Sequence, residues 1–396
     1  MPYTALHIIV AFIIAAILTR ISIPVVLRLS KLKNLYDEPN ARKVNTTGVP
    51  TLGGIGIFIG FTLSIIFASY QYIFSEVQYI IGASIILFFI GLKDDLLVIA
   101  PHKKLLAQLA AAVVLFIFAD IRFTHLHGLF GIEALGIIPS FFFTLFVIIG
   151  IINAFNLIDG IDGLAAGVGI IISLVFGGWF LVTEHWSYAL MAIALSGTLF
   201  VFIYYNVFSK HNKIFMGDTG SLLLGLIFAI FVIQFNEFNI VQTSPYSVNA
   251  APAVSFGILI IPLFDTCRVF ILRLLRKQSP FSPDKNHIHH KLLQLGYNHI
   301  QASTRMLACN IGFIALNFIL QGIGTVSLLL LNLTLALVLT IIPVYLILIK
   351  RRKERELTFQ DFLQSQVVLF KQPSPKSTCN FSRDLNKKEP LEEHAN

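Results

Sequence analysis

Apolar stretches recur along nearly the whole chain, and they constrain the fold more than any other feature of the sequence. Eleven of them lie near residues 4–27, 52–70, 77–92, 105–119, 139–156, 164–183, 189–206, 219–238, 251–274, 305–322 and 326–349. A helix needs roughly 20 apolar residues to cross a bilayer, and in lipid its backbone groups must be satisfied within the segment. The third and fourth stretches are short by that measure. Of 396 residues, 56% are hydrophobic and only 13% are charged, too few charges to cover a soluble protein of this size. Recurrence from end to end also excludes a soluble domain on a single anchor. The reading is an all-α integral membrane protein, a polytopic helical bundle of about 11 transmembrane helices over residues 1–350. A polar tail, 351–396, begins after Lys350-Arg351-Arg352-Lys353 and reads as cytoplasmic and partly disordered.

Lysine and arginine orient the bundle. Arg28, Lys31, Lys33, Arg42 and Lys43 lie between the first two stretches, and Lys93, Lys103 and Lys104 between the third and fourth. Lys210 and Lys213 precede the eighth, while Arg273 lies at the end of the ninth and Arg276, Lys277, Lys285 and Lys291 follow it. The alternate connections carry almost none, Arg122 being the clear exception. The positive-inside rule puts the basic connections in the cytoplasm, the N-terminus outside and the C-terminus inside. The net charge of +8 is therefore topological and does not mark a nucleic-acid surface. Cys267, Cys309 and Cys379 are far apart, with no CxxC pair, and imply neither a disulfide framework nor a zinc site.

Against this background five aspartates stand out: Asp94, Asp95, Asp159, Asp162 and Asp218, all at the ends of apolar stretches and all on the face read as cytoplasmic. Carboxylates are costly beside a membrane and mark function by default. Asp94 and Asp95 are adjacent and repel, so they want a cation, either Mg2+ or a lysine. In Asn153-Ala154-Phe155-Asn156-Leu157-Ile158-Asp159-Gly160-Ile161-Asp162-Gly163, helical spacing puts Asn153, Asn156 and Asp159 on one face, continued by Asp162. Asp218, in Gly217-Asp218-Thr219-Gly220-Ser221, reads either as a helix N-cap or as a metal-ligating carboxylate at a helix N-terminus. His287, His289 and His290 share a loop with Lys285 and Lys291 and read as donors to phosphate or sugar oxygens, or as a solvated basic loop. Lys43, before the turn at Gly53-Gly54, suits either a diphosphate contact or a membrane anchor. Asp265 and Arg268, three apart, read as a structural pair. Carboxylates, amides, histidines and lysines meeting on one face are the inventory for Mg2+-assisted chemistry on a phosphate ester.

Lys93-Asp94-Asp95, the 153–164 motif, the 217–221 motif and His287-Ile288-His289-His290, in that order, resemble the polyprenyl-phosphate N-acetylhexosamine-1-phosphate transferases. The similarity runs from about residue 5 to 350. It implies a bacterial plasma-membrane enzyme that moves a sugar-1-phosphate from a UDP-sugar to a polyprenyl phosphate and releases UMP. Mg2+, or Mn2+ in its place, is implied as cofactor. Asp218 and Asn156 would serve the metal, and Asp94, Asp95, Asp159 and His289 would be catalytic. Lys43, Asn153, Asp162, His287 and His290 would hold substrate. Asp94 is the expected base for the lipid phosphate, against a two-step route through a covalent aspartyl intermediate. A homodimer is compatible with this reading.

The His-Ile-His-His form separates the chain from enzymes taking UDP-muramoyl-pentapeptide, which resemble it but carry three consecutive histidines after Pro-Leu. Lys285 replaces the arginine common in that loop. A transporter or flippase would place its acids near mid-span on broken helices, and a CDP-alcohol phosphotransferase would group them in one motif. Neither pattern is present. The topology gives a direct test: in cysteine-accessibility labelling, positions Ser244 and Ser279 are expected on opposite sides of the membrane. Labelling of both from one side would overturn the orientation.

Overall fold

The computed structural model describes residues 2–33, 35, 48–68, 75–129, 131–241, 244–277 and 286–370. Lys43, Lys285 and the tail beyond residue 370 lie outside the described residues. The chain runs α1 (Pro2–Leu32), α2 (Gly53–Ala68), α3 (Val77–Leu97), α4 (Pro101–Phe118), β1 (His125–Leu129), β2 (Ile132–Ala134) and α5 (Ile137–Ile158). It continues with α6 (Leu164–Val182), α7 (Trp186–Ile203), α8 (Gly217–Phe238), α9 (Ala251–Ile258), α10 (Ile260–Leu275), α11 (Ile288–Gln294), α12 (His299–Leu320) and α13 (Thr325–Phe370). Each of the expected stretches coincides with helix. Eight helices are long and apolar enough to cross a membrane, and α2 is a shorter apolar helix. The protein is an all-α polytopic membrane protein in all but the short antiparallel β1–β2 hairpin, paired His125↔Ala134 and Leu129↔Ile132. Two units divide the chain, Met1–Ile347 and Leu348–Asn396; the elements described below belong to the first.

α8 has the most buried apolar window of the eight and packs against α2, α3, α5 and α6. Its 22 residues rise about 33 Å, the thickness of a bilayer core. Small residues allow this central place. A Cβ on Gly91 of α3 would lie 2.6 Å from the Thr219 Cα, so only glycine lets these two backbones meet. At the far end of α8, Glu237 accepts from Thr124 N at 2.8 Å and Thr124 Oγ1 at 2.6 Å. The hairpin is thereby fixed at the end of α8 opposite Asp218.

The ninth stretch corrects the sequence reading. Expected as one span, it is broken at Leu259 into α9 and α10. Pro262 is the physical reason: it has no N–H to give the carbonyl four residues back, which is Ile258. Asn310 of α12 takes over and donates Nδ2 to Ile258 O at 3.3 Å. Asn317 and Asn332 exchange hydrogen bonds at 2.8 and 2.7 Å, and Asn332 also donates to Ala253 O at 3.3 Å. The Asn310 amide thus replaces the backbone bond lost at Ile258 in an apolar interior, and the Asn317–Asn332 pair ties α9, α12 and α13 together beside it.

This substitution of donors is testable. Asn310→Leu should lower stability by about 1 kcal/mol, the scale of a hydrogen bond between membrane helices. In a Pro262→Ala background, where the backbone donor returns, the same change should cost little. Thermal unfolding of the four proteins in detergent measures the difference, and equal costs in both backgrounds would refute the account.

Candidate active site

The site is organised by the start of α8. The first N–H groups of a helix have no partner inside it, and here Asp95, from the last turn of α3, supplies one. Its carboxylate accepts Asp218 N at 2.7 Å, Thr219 N at 3.0 Å and Thr219 Oγ1 at 2.6 Å. Gly217 makes room with φ at +71°, and a Cβ there would lie 2.7 Å from both Asp95 oxygens. The cap of α8 is therefore Asp95, not Asp218, and Asp95 has both oxygens committed to holding the helix.

Asp218 is left to face its neighbours. Lys104, in the first turn of α4, contacts Asp218 Oδ2 and lies 2.7 Å from Asp94 Oδ2. Asp94 Oδ1 accepts the Ile99 N–H at 2.6 Å, so neither oxygen of the expected base is free. Asn156 of α5 donates Nδ2 to Asp218 Oδ1 at 2.9 Å and to Ser221 Oγ at 3.0 Å. One turn earlier Asn153 turns away from this group and pairs with Gln108 of α4, donating to Gln108 Oε1 at 2.8 Å. Asn153 thus ties α5 to α4, the helix that carries Lys104.

The helical row expected through Asp162 stops short. α5 ends at Ile158 with Asp159 at its C-cap, and the turn that follows is fixed from three sides. Asp162 lies 2.7 Å from Lys213 Nζ and 3.1 Å from His299 Nδ1. Ser303 Oγ donates to its backbone oxygen at 2.7 Å, and Gly163 N donates to Asn206 Oδ1 at 2.7 Å. Burial opposes the charge on Asp162, but His299 and Lys213 outweigh it and hold the carboxyl below its usual range. Asp159 is the reverse case: burial, reinforced by the charges of Asp218, Asp95 and Asp162, raises it well above an ordinary carboxyl. Among the described residues it makes no hydrogen bond or ion pair through its side chain.

The histidine loop closes over this turn. His289 is 1% exposed, and its Nε2 lies 2.5 Å from where a Cβ on Gly160 would be. Neither ring nitrogen has a hydrogen-bond partner. Burial, with His290 adding to it, pushes the His289 imidazole down to about 3, so the ring is neutral at physiological pH. His287 stacks nearly parallel to His289, with centroids 5.6 Å apart, and bonds to Asp265. His290 lies 4.3 Å from His289 between centroids. The structure thus brings together Asp94, Asp95, Asn156 and Lys104 around Asp218, and Asp162 with His299. His289 rests on the turn that joins them.

Residues 77–236, which contain all five aspartates, match the family model of glycosyl transferase family 4. The undecaprenyl-phosphate alpha-N-acetylglucosaminyl 1-phosphate transferase of Escherichia coli (strain K12) is 31% identical over 280 residues, covering 69% of this chain and 73% of the relative. The probable undecaprenyl-phosphate N-acetylglucosaminyl 1-phosphate transferase of Bacillus subtilis (strain 168) is 32% identical over 301 residues, covering 74% and 79%. The chain belongs to the polyprenyl-phosphate N-acetylhexosamine-1-phosphate transferase family.

This family implies a divalent cation, and the donor chemistry fits one. Among the described residues no group of three or more His, Cys, Asp or Glu converges as a ligand set. Mg2+ does not need one: it keeps several waters and binds through one or two carboxylates plus substrate phosphates. Asp94 and Asp218, sharing the Lys104 ammonium, are such a pair of hard oxygen donors, and Asn156 orients Asp218 through its amide nitrogen.

Sequence reasoning missed Lys104, Gln108, Lys213, His299 and Ser303 in this transferase. Lys104 left a signal. A cation in the first turn of a helix opposes the dipole, so a lysine just after Pro101 asks for an acidic partner. Lys213 and His299 gave none, because nothing local reveals that they meet Asp162.

Replacing Lys104 tests the arrangement. Lys104→Met should leave Asp94 and Asp218 facing each other and cost about 1–3 kcal/mol, below the loss for a fully buried pair because these groups are partly exposed. Mg2+ should then raise the melting temperature of the variant more than that of the wild type. A variant indifferent to Mg2+ would reduce the carboxylates to a structural pair.

Proposed function

We propose that the protein transfers N-acetylglucosamine-1-phosphate from UDP-N-acetylglucosamine to undecaprenyl phosphate, releasing UMP at the cytoplasmic face of a bacterial plasma membrane. The observation that carries the reading is the meeting of Asp94, Lys104, Asn156 and Asp218, from four helices, at one end of the buried α8. The names of the relatives support the N-acetylglucosaminyl 1-phosphate group and the undecaprenyl-phosphate acceptor. The distribution of lysine and arginine supports eleven spans with the N-terminus outside. Both relatives carry the N-acetylglucosaminyl name, and with the His287-Ile288-His289-His290 form this favours a plain UDP-sugar over a muramoyl-pentapeptide nucleotide.

Mg2+ bound at Asp94 and Asp218 would offset the negative charge of the donor diphosphate and of the departing UMP. Lys104 already brings a positive charge to the same place, and Asn156 keeps Asp218 in register. For the proton of the lipid phosphate, the geometry favours Asp159 over Asp94. Asp94 is held by Lys104 and Ile99 and is assigned to the metal, whereas Asp159 makes no side-chain hydrogen bond or ion pair among the described residues and is raised above an ordinary carboxyl by burial and its acidic neighbours. His289, neutral and without a partner, suits a hydrogen bond to the substrate, and Asp162 is the tie that keeps the turn in place.

A donor panel tests the overall reaction. Membranes with undecaprenyl phosphate and Mg2+ should release UMP from UDP-N-acetylglucosamine and little from the muramoyl-pentapeptide nucleotide; the reverse ranking would move the chain to the other branch.

Asp159 separates the mechanisms. Its carboxylate forms as pH rises through its raised pKa, so a wild-type rate that needs this base should climb over that interval. The second pKa of the lipid phosphate is near 6 by analogy with phosphoserine, so at alkaline pH the acceptor is a full dianion and needs no base. Asp159→Asn should therefore be crippled at about pH 6 and recover in part by about pH 9. A covalent aspartyl route would leave it inactive at every pH. That route would also let the wild type exchange labelled UMP into UDP-sugar without lipid.

A further inference from the structure

Asp265 sits on α10, outside the acidic motifs, and the sequence reading takes it only as a partner for Arg268. The structure gives it more to do. It is fully buried and accepts Arg268 Nη2 at 2.7 Å. The Ile288 N–H reaches its two oxygens at 3.1 and 3.2 Å, and His287 Nδ1 lies 3.0 Å from Oδ2. Arg268 Nη2 also donates to Asn286 O at 2.6 Å. One carboxylate–guanidinium pair on the broken ninth span therefore grips three consecutive residues, Asn286, His287 and Ile288, where α11 begins.

A carboxylate oxygen can only accept, so the proton of a neutral His287 ring must sit on Nδ1. Nε2 is then bare, and among the described residues it makes no hydrogen bond. The ring lies beside His289, which rests on Gly160 next to Asp159. We propose that Asp265 is a positioning residue for the transfer: it locks His287 in the Nδ1–H form, so that Nε2 accepts a hydrogen bond from a hydroxyl or amide N–H of the donor sugar. The other tautomer would present an N–H, which a hydroxyl could still accept but the amide N–H of the sugar could not.

The proposal rests on the transferase reading, and its test keeps the two apart. Nitrogen-15 NMR of the full-length chain labelled at histidine, with His287 assigned by loss of its signals in His287→Gln, reads the tautomer without any assay. Protonated Nδ1 with bare Nε2 is expected; the opposite neutral form overturns the proposal. In the donor assay, Asp265→Asn puts an N–H against Nδ1 and forces that opposite form. Its kcat/KM for UDP-N-acetylglucosamine, compared on folded protein, should fall about 10–100-fold, the scale seen for the orienting partners of metal-bound histidines; its melting temperature should fall too, because Arg268 loses its counter-charge. Asp265→Glu should recover part of the loss. Added to His287→Gln, Asp265→Asn should cost nothing further, since both act on one interaction; independent losses would show that Asp265 does not act through His287. If Asp265→Asn fails to fold, the tautomer in the wild type decides. A wild type that transfers from no UDP-sugar would defeat the reading of function and leave the NMR result to judge Asp265.

Discussion

The start of α8 is held by a carboxylate from another helix, and the site depends on that bond. Asp95 satisfies two backbone donors and a hydroxyl at once, at the positive end of a helix dipole where a negative charge is favoured. The contact works only because Gly217 accepts a positive φ and Gly91 lets the α3 and α8 backbones approach. Fixing the helix start fixes Asp218, the second residue of α8, and hence the point on which Lys104 and Asn156 converge.

Gathering carboxylates at the edge of a membrane requires compensation, and the protein supplies it unevenly. Asp94 and Asp218 share Lys104, Asp162 has Lys213 and His299, and Asp265 has Arg268 and His287. Asp159 has none of these partners, and its neighbours are themselves acidic. A fully compensated carboxylate is a fixed charge. One left without a cation is more ready to take or give a proton, the property proposed above for Asp159; among the described residues Asp95 also lacks a cationic partner, and burial lifts it to about 7.

The break in the ninth span links fold to chemistry in a similar way. Pro262 interrupts the helix, Asn310 satisfies the carbonyl that is released, and the separate helix α10 carries Asp265 to the start of α11. A straight helix over 251–274 would have no reason for a buried Asn in the facing helix. A donor placed on α12 makes the irregular backbone tolerable in an apolar surround.

Sequence alone determined that the chain is a bundle of membrane helices, because apolar length is a local property and lipid leaves the backbone few alternatives. It also singled out candidates for the site, since Asp94, Asn156, Asp159, Asp218 and the histidines stand in short motifs whose residue types have no use in a plain apolar helix. It did not determine what each of them does. Asp95 became a helix cap, Asn153 a tie to Gln108, and Asp162 a latch, while Lys104 emerged from among lysines that orientation alone accounted for. Those roles are set by which donors face each carboxylate. The donors come from residues 104, 213, 218, 219 and 299, distant in sequence and adjacent only once the helices have packed around α8.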